Sequence, residues 1–123
     1  MAVADLNGDG RLDLVTANGS SDDVSVLLGD GAGGFGPAQR FAAGDLPRWV
    51  TVADVNRDGI PDLVVANRSS NHVSVLLGNG DGTFQPQQRF VAFFALSVAV
   101  ADFDGAPDLA VAGTGQVLIL LHE

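Results

Sequence analysis

Hydrophobic positions along this chain fall in short runs separated by glycine, aspartate, asparagine and proline. Leu12 to Ala17 reads LDLVTA, Val24 to Leu28 reads VSVLL, a third run covers residues 38–42, and Val50 to Ala53 opens a new set. Short runs rich in apolar and β-branched side chains, bounded by turn formers, are strand signals. No window repeats apolar residues at i, i+3 and i+4 between helix caps, so the pattern predicts strands and disfavours helix throughout. LDLVTA, VSVLLG and DLVVA are almost continuously apolar rather than alternating. Strands of that kind are covered on both faces.

The pattern recurs. Displacing the sequence by 49 residues sets Asp5 on Asp54, Asn7 on Asn56, Val24 on Val73, Gly29 on Gly78 and Phe41 on Phe90, with 27 identities over residues 1–43. Shared composition does not produce that match. A third, eroded copy begins VAVADFDGAPDLAVA and continues to VLILLHE, and its acidic loop is shorter by two residues than that of the second copy. The chain therefore reads as one array: repeat 1 over residues 1–49, repeat 2 over 50–97, and a partial repeat 3 over 98–123. Each full repeat offers a strand before its acidic loop, one after it, the VSVLLG run and the QRF run. Four antiparallel strands in ~40 to 50 residues is the size of a propeller blade. The expected fold class is all-β: β-propeller blades of four antiparallel strands, about two and a half of them, in a partial or open propeller. One blade cannot cover its own faces, so the repeats need each other.

Composition sharpens this picture at a few points. The 16 glycines against 5 prolines call for many tight turns. The net charge is −9, and of 15 acidic residues only Glu123 is not aspartate. Nine of those aspartates lie in three short segments, Asp5 to Asp13, Asp54 to Asp62 and Asp102 to Asp108. Six scattered arginines and no lysine cannot track a phosphate backbone, which excludes nucleic acid as the natural partner. Without cysteine there is neither a disulfide framework nor a thiolate metal site. MAVADLNGDG carries no basic and apolar leader pattern, and Val91 to Ala101, the longest apolar run, is about half of the ~20 residues a membrane span needs. A soluble chain with no membrane span is expected.

The two acidic loops carry the chemistry. The spacing D-x-N-x-D-G-x-x-D presents Asp5, Asn7, Asp9 and Asp13 in the first, and Asp54, Asn56, Asp58 and Asp62 in the second. The backbone carbonyls of Arg11 and Ile60 stand between the third and fourth donors. Calcium takes six to eight oxygens of these kinds at ~2.3 to 2.6 Å, whereas magnesium keeps several waters. The alternative is a pair of polar hairpin turns, since aspartate, asparagine and glycine are common turn residues. Three carboxylates converging twice, with only Arg11 and Arg57 nearby, favour the cation. An EF-hand would need a glutamate at its twelfth position, where Thr16 and Val65 stand, and helices on both sides. In the third copy only Asp102, Asp104 and Asp108 remain, and a vestigial turn is expected there.

Other signals are weaker. GDGAGGF, at residues 29–35, resembles a phosphate-binding loop, but no helix follows and GNGDGTF repeats it as a hairpin turn. His72 and His122 have no serine or cysteine partner by sequence, which leaves no catalytic triad and makes both surface or packing residues. Trp49 is expected between blades rather than as an exposed sugar-stacking ring. Asn18 and Asn67 open equivalent N-x-S sequons, expected as ordinary turn residues.

Taken together, VADLNGDGRLDLVTAN, VADVNRDGIPDLVVAN, VSVLLGDGAGGF and VSVLLGNGDGTF resemble the FG-GAP/VCBS repeats of integrin alpha-subunit propellers and of many bacterial extracellular proteins. The resemblance covers nearly the whole chain. It implies that each repeat is one blade of a propeller, usually seven-bladed, and that the loop joining a blade's first two strands binds calcium. It assigns Asp5, Asn7, Asp9 and Asp13, with Asp54, Asn56, Asp58 and Asp62, as ligands. It further implies a non-enzymatic module at the cell surface or outside the cell, used in adhesion or in binding a protein or carbohydrate ligand. The alternative is part of a propeller lectin or secreted propeller-type enzyme with its active site outside this chain. Two complete repeats and a third without its last strand cannot close a ring of seven. Further blades or self-association are therefore expected to complete it.

Overall fold

The structure, a computed structural model, describes the backbone of residues 1–68, 72–91, 95–102, 107–113 and 116–120, and the side chains of residues 1–68 and 72–89. Every regular element among the described residues is a strand, as the periodicity predicts. The strands form three antiparallel meanders. The first sheet runs β1 (Ala2–Ala4), β2 (Asp13–Asn18), β3 (Asp23–Leu27), β4 (Gln39–Ala42). The second runs β5 (Pro47–Ala53), β6 (Asp62–Asn67), β7 (His72–Leu76), β8 (Gln88–Val91). The third runs β9 (Ala95–Asp102), β10 (Pro107–Gly113), β11 (Gln116–Leu120).

The two full sheets repeat each other in register. Val15 pairs with Val26 and Val24 with Phe41 in the first; Val64 pairs with Val75 and Val73 with Phe90 in the second. Sequence repetition has become structural repetition, which defines two four-stranded blades and an unclosed array.

The blades stack face to face. Val15, Val24 and Val26 of the first sheet share one buried cluster with Val50, Leu63, Val65 and Leu76 of the second. Each such side chain, fully buried, stabilises the fold by roughly 1.5–3 kcal/mol. Phe41 and Phe84 meet edge to face across the same seam, with ring centroids 5.4 Å apart and planes at 81°. That geometry sets the positive edge of one ring against the negative face of the other. The second sheet also receives β9 against β5 and β6. With neighbours on both sides, β6 and β7 are buried at every position, whereas β2 is buried only at Asp13 and Val15. Continuous apolar runs are thus justified in the second blade, and only one face of the first is covered.

Polar ties lock the seam. Gly44 donates its N–H to Oδ1 of Asn67 at 3.1 Å, and Nε2 of Gln87 donates to the carbonyl of Ala43 at 3.0 Å. The Leu46 N–H donates to Oδ1 of Asp22 at 3.0 Å. Asn67, read as a turn residue opening a sequon, is fully buried and donates from Nδ2 to the His72 carbonyl and the Ser74 hydroxyl. His72 is a buried packing residue on β7. Trp49, expected to pack between blades, is among the exposed large hydrophobic residues. It sits on β5, where a register irregularity follows Pro47, and remains 44% exposed. His122 and the FFAL segment at residues 93–96 lie wholly or partly outside the described residues.

Candidate metal centre

The acidic loops join β1 to β2 and β5 to β6, so each lies at the same end of its blade. Both reverse through left-handed backbone. Gly8 and Gly10 have φ of 74° and 80°, and the equivalent Arg57 and Gly59 have 60° and 80°. Glycine adopts this region without cost, whereas a side chain there costs about 1–2 kcal/mol.

The opening aspartate organises each turn. Asp5 accepts the N–H groups of Gly8 (2.9 Å) and Asp9 (3.2 Å) on Oδ1 and that of Gly10 (2.8 Å) on Oδ2. Asp54 accepts from Asp58 (3.2 Å) and Gly59 (2.8 Å). The third donor is held in the same way, with Arg11 donating to Asp9 at 2.8 Å and Ile60 donating to Asp58 at 2.9 Å. The Gly10 N–H leads the donors that hold the Asp5 carboxyl below its ordinary 3.8. At Asp54 desolvation pushes upward, and the N–H groups of Gly59, Asp58 and Arg57 outweigh it, so that carboxyl also titrates low.

The closing aspartate does something the spacing did not foretell. Asp13 is fully buried and accepts from Leu6 (2.8 Å) and Gly29 (2.8 Å), one N–H on each oxygen. Asp62, equally buried, accepts from Val55 (3.0 Å) and Gly78 (2.8 Å). The side chain thus ties the loop's second residue to the turn that follows the third strand. A carboxylate has about four lone-pair sites, so two remain for another partner.

The loops differ in how far their donors converge. In the second, one carboxylate oxygen each from Asp54, Asp58 and Asp62 lie within 4.8 Å of one another. Among the described residues no other set of three acidic or histidine groups does so, and the first loop does not gather Asp5, Asp9 and Asp13 as closely. Burial drives the Asp62 carboxyl above 3.8, and the Asp58 and Asp54 charges push it the same way. Asn56 adds a fourth group. One of its terminal amide atoms lies 2.9 and 3.3 Å from the two oxygens of Asp58 and 3.1 Å from Oδ1 of Asp54. With nitrogen there, Asn56 donates to both carboxylates; with oxygen there, it adds a further oxygen beside those of Asp54 and Asp58. In the first loop, Asn7 instead accepts the Asp9 N–H through Oδ1 at 3.4 Å. A set of hard oxygen donors carrying net negative charge fits a hard divalent cation. Of the third acidic loop, residues 103–106, Asp104 among them, lie outside the described residues, and Asp102 and Asp108 are described by their backbone alone.

Sequence reasoning missed two glycines. A Cβ on Gly29 would sit 2.0 Å from the Leu12 carbonyl oxygen, and one on Gly78 would sit 2.0 Å from that of Pro61. The repeat match of Gly29 with Gly78 was the only signal for this close approach.

Fold and loops together define a blade-repeat protein with an acidic hairpin in each full blade. The chain belongs to the family described as FG-GAP-like repeat, whose sequence profile matches residues 5–65 and 55–111. No curated protein and no solved structure matches it. Among the described residues, no helix is long and apolar enough to cross a membrane.

Proposed function

We propose that this chain is a calcium-stabilised propeller-type module, non-enzymatic, that serves extracellular adhesion or the binding of a protein or carbohydrate ligand. The observation that carries the calcium part is the convergence of Asp54, Asp58 and Asp62 within 4.8 Å, with the Asn56 amide beside them. Asp54 and Asp58 are held in place by N–H groups of their own turn, and Asp62 is held from two directions by the N–H groups of Val55 in the loop and Gly78 in the turn after β7. The residues that would hold the ion are Asp54, Asn56, Asp58 and Asp62 with the Ile60 carbonyl. In the first blade they are Asp5, Asn7, Asp9 and Asp13 with the Arg11 carbonyl. Bound calcium supplies positive charge that offsets the crowded carboxylates and pins the first hairpin of a blade to its neighbours. Extracellular modules hold calcium at about 10⁻⁴ to 10⁻³ M, which suits a surface location. The adhesive role, the location and the absence of catalysis rest on kinship with FG-GAP-like repeats and on a sequence without cysteine or a serine–histidine constellation.

The test is a thermal melt in calcium and in chelator. Calcium at a hundred times its dissociation constant adds about 2.7 kcal/mol to stability. Asp58→Ala is expected to remove most of the shift and Asp9→Ala less of it. Equal melting temperatures in calcium and in chelator would sink the structural role of calcium. A glycan array and a protein-binding screen then separate the two ligand classes.

A further inference from the structure

Three asparagines stand directly before a glycine: Asn7, Asn18 and Asn79. In such a pair the glycine nitrogen can reach the asparagine Cγ, because glycine brings no Cβ and its backbone pivots freely. A bond forms from that nitrogen to Cγ, the bond from Cγ to Nδ2 breaks, and the side-chain nitrogen leaves as ammonia with the proton that the glycine nitrogen gives up. Water then opens the cyclic imide at either carbonyl. The balance is asparagine plus water to aspartate or isoaspartate plus ammonia, and no other reactant is needed.

The fold treats the three differently. Asn18 ends β2 with Nδ2 donating to Oδ1 of Asp23 and to the Ser25 hydroxyl, both at 2.8 Å. Gly19 beside it is packed, since a Cβ there would lie 3.4 Å from Cδ1 of Leu46 and 3.6 Å from the Pro47 carbonyl oxygen. At Asn7 the attacking group itself is tied, because the Gly8 N–H donates to Oδ1 of Asp5 at 2.9 Å. Swinging that nitrogen toward Cγ means breaking the bond. Asn79 lies in the exposed turn after β7, and the Gly80 N–H has no acceptor among the described residues.

The groups around Asn79 favour the reaction. Nε2 of Gln85 donates to its Oδ1 at 3.4 Å, the oxygen on which negative charge builds as nitrogen adds to Cγ. A donor already aimed at that oxygen lowers the barrier. The leaving nitrogen, Nδ2, donates to the Thr83 hydroxyl at 3.1 Å, which holds the amide by its other end. The product fits the turn as well. At the matching place the first blade carries Asp30, whose Oδ1 accepts the N–H groups of Ala32 at 2.8 Å and Gly34 at 3.0 Å. Both turns close through the same backbone bond at 3.0 Å, from Asp30 to the Gly34 carbonyl and from Asn79 to the Thr83 carbonyl.

We propose that Asn79 is a self-modifying site: in the folded chain it loses its amide to the Gly80 nitrogen faster than Asn7 or Asn18 does to theirs, with Gln85 polarising the reacting carbonyl. The chemistry uses no bound ion and no partner, so it succeeds or fails independently of the calcium and adhesive roles.

The experiment is incubation of the 123-residue chain in chelator at mildly alkaline pH, folded and in urea, with peptide mapping by mass spectrometry at intervals. Chelator ensures that no ion shields Asn7. In the folded chain, conversion at Asn79 is expected to run about tenfold faster than at Asn7 or Asn18. In urea the three rates are expected to converge. Gln85→Leu is expected to slow conversion at Asn79 severalfold in the folded chain, with the rate in urea and the melting temperature unchanged; a substitution that merely loosened the turn would speed it. Conversion at Asn79 no faster than at Asn7 or Asn18 in the folded chain overturns the proposal. So does a lead for Asn79 that persists undiminished in urea, or a Gln85→Leu rate equal to wild type.

Discussion

The N–H of Gly78 donates to Oδ1 of Asp62 at 2.8 Å across sixteen residues, and it does so where no larger residue fits. The same pair, Gly29 on Asp13, stands in the first blade. Gly78→Ala would force a methyl group to 2.0 Å from the Pro61 carbonyl oxygen, so the turn must move and the bond to Asp62 must break. The expected loss is on the order of 3 kcal/mol or more, read from urea denaturation. Gly36→Ala, where the nearest atom is 3.8 Å away, is expected within about 0.5 kcal/mol of wild type.

Asp62→Ala removes the acceptor of two buried donors, Val55 and Gly78. Each orphaned N–H costs about 1–3 kcal/mol, so a loss near 3 kcal/mol is expected even in chelator. Asp58→Ala leaves no buried N–H unpaired, because its partner Ile60 is in the exposed turn. Its cost in chelator is expected below about 1 kcal/mol, which separates the clamp from the proposed cation site.

Asn67→Ala empties a buried node that binds His72, Ser74 and Gly44. A loss of about 2–4 kcal/mol is expected from its orphaned partners. The equivalent Asn18 is only partly buried, bonding Asp23 and Ser25, and Asn18→Ala is expected to cost about 1 kcal/mol. Paired chemical denaturation of the two variants checks the ratio.

Acid titration separates two kinds of carboxylate. The Ala32 and Gly34 N–H groups hold Asp30 below 3.8, and the Thr83 hydroxyl and N–H do the same to Asp81. A lowered folded value means that stability from these groups is complete above 3.8 and is lost as pH falls below it. Asp62 is raised instead, so its contribution is complete below 3.8 and is lost as pH rises through its folded value. In chelator, Asp30→Asn is expected to flatten the acid limb of a melting-temperature profile below 3.8. An unchanged limb would rule out the Asp30 turn as its source.

Arg57 holds φ of 60° where the first loop has Gly8. Arg57→Gly relieves about 1–2 kcal/mol of left-handed strain and adds about 0.5–1 kcal/mol of unfolded-state freedom. A small net gain, about 0.5 kcal/mol, is expected in a calorimetric melt.

The strands, their grouping in fours and the clustering of acidic residues in each loop are legible in the sequence. These follow from short apolar runs between turn formers, glycine where the backbone turns left-handed, and 27 identities between two copies over residues 1–43. Tertiary structure decided what local pattern cannot encode. Spacing gave the two loops the same donors, yet only the second draws three carboxylates within 4.8 Å, with Pro61 before Asp62 where Leu12 precedes Asp13. Spacing made Asp13 and Asp62 ligand candidates, while long-range donors at Gly29 and Gly78 turn them into clamps as well. Leu14 and Leu63 occupy matching positions, and only Leu63 is fully buried. The difference lies in what packs against each sheet, a contact between residues far apart in the chain.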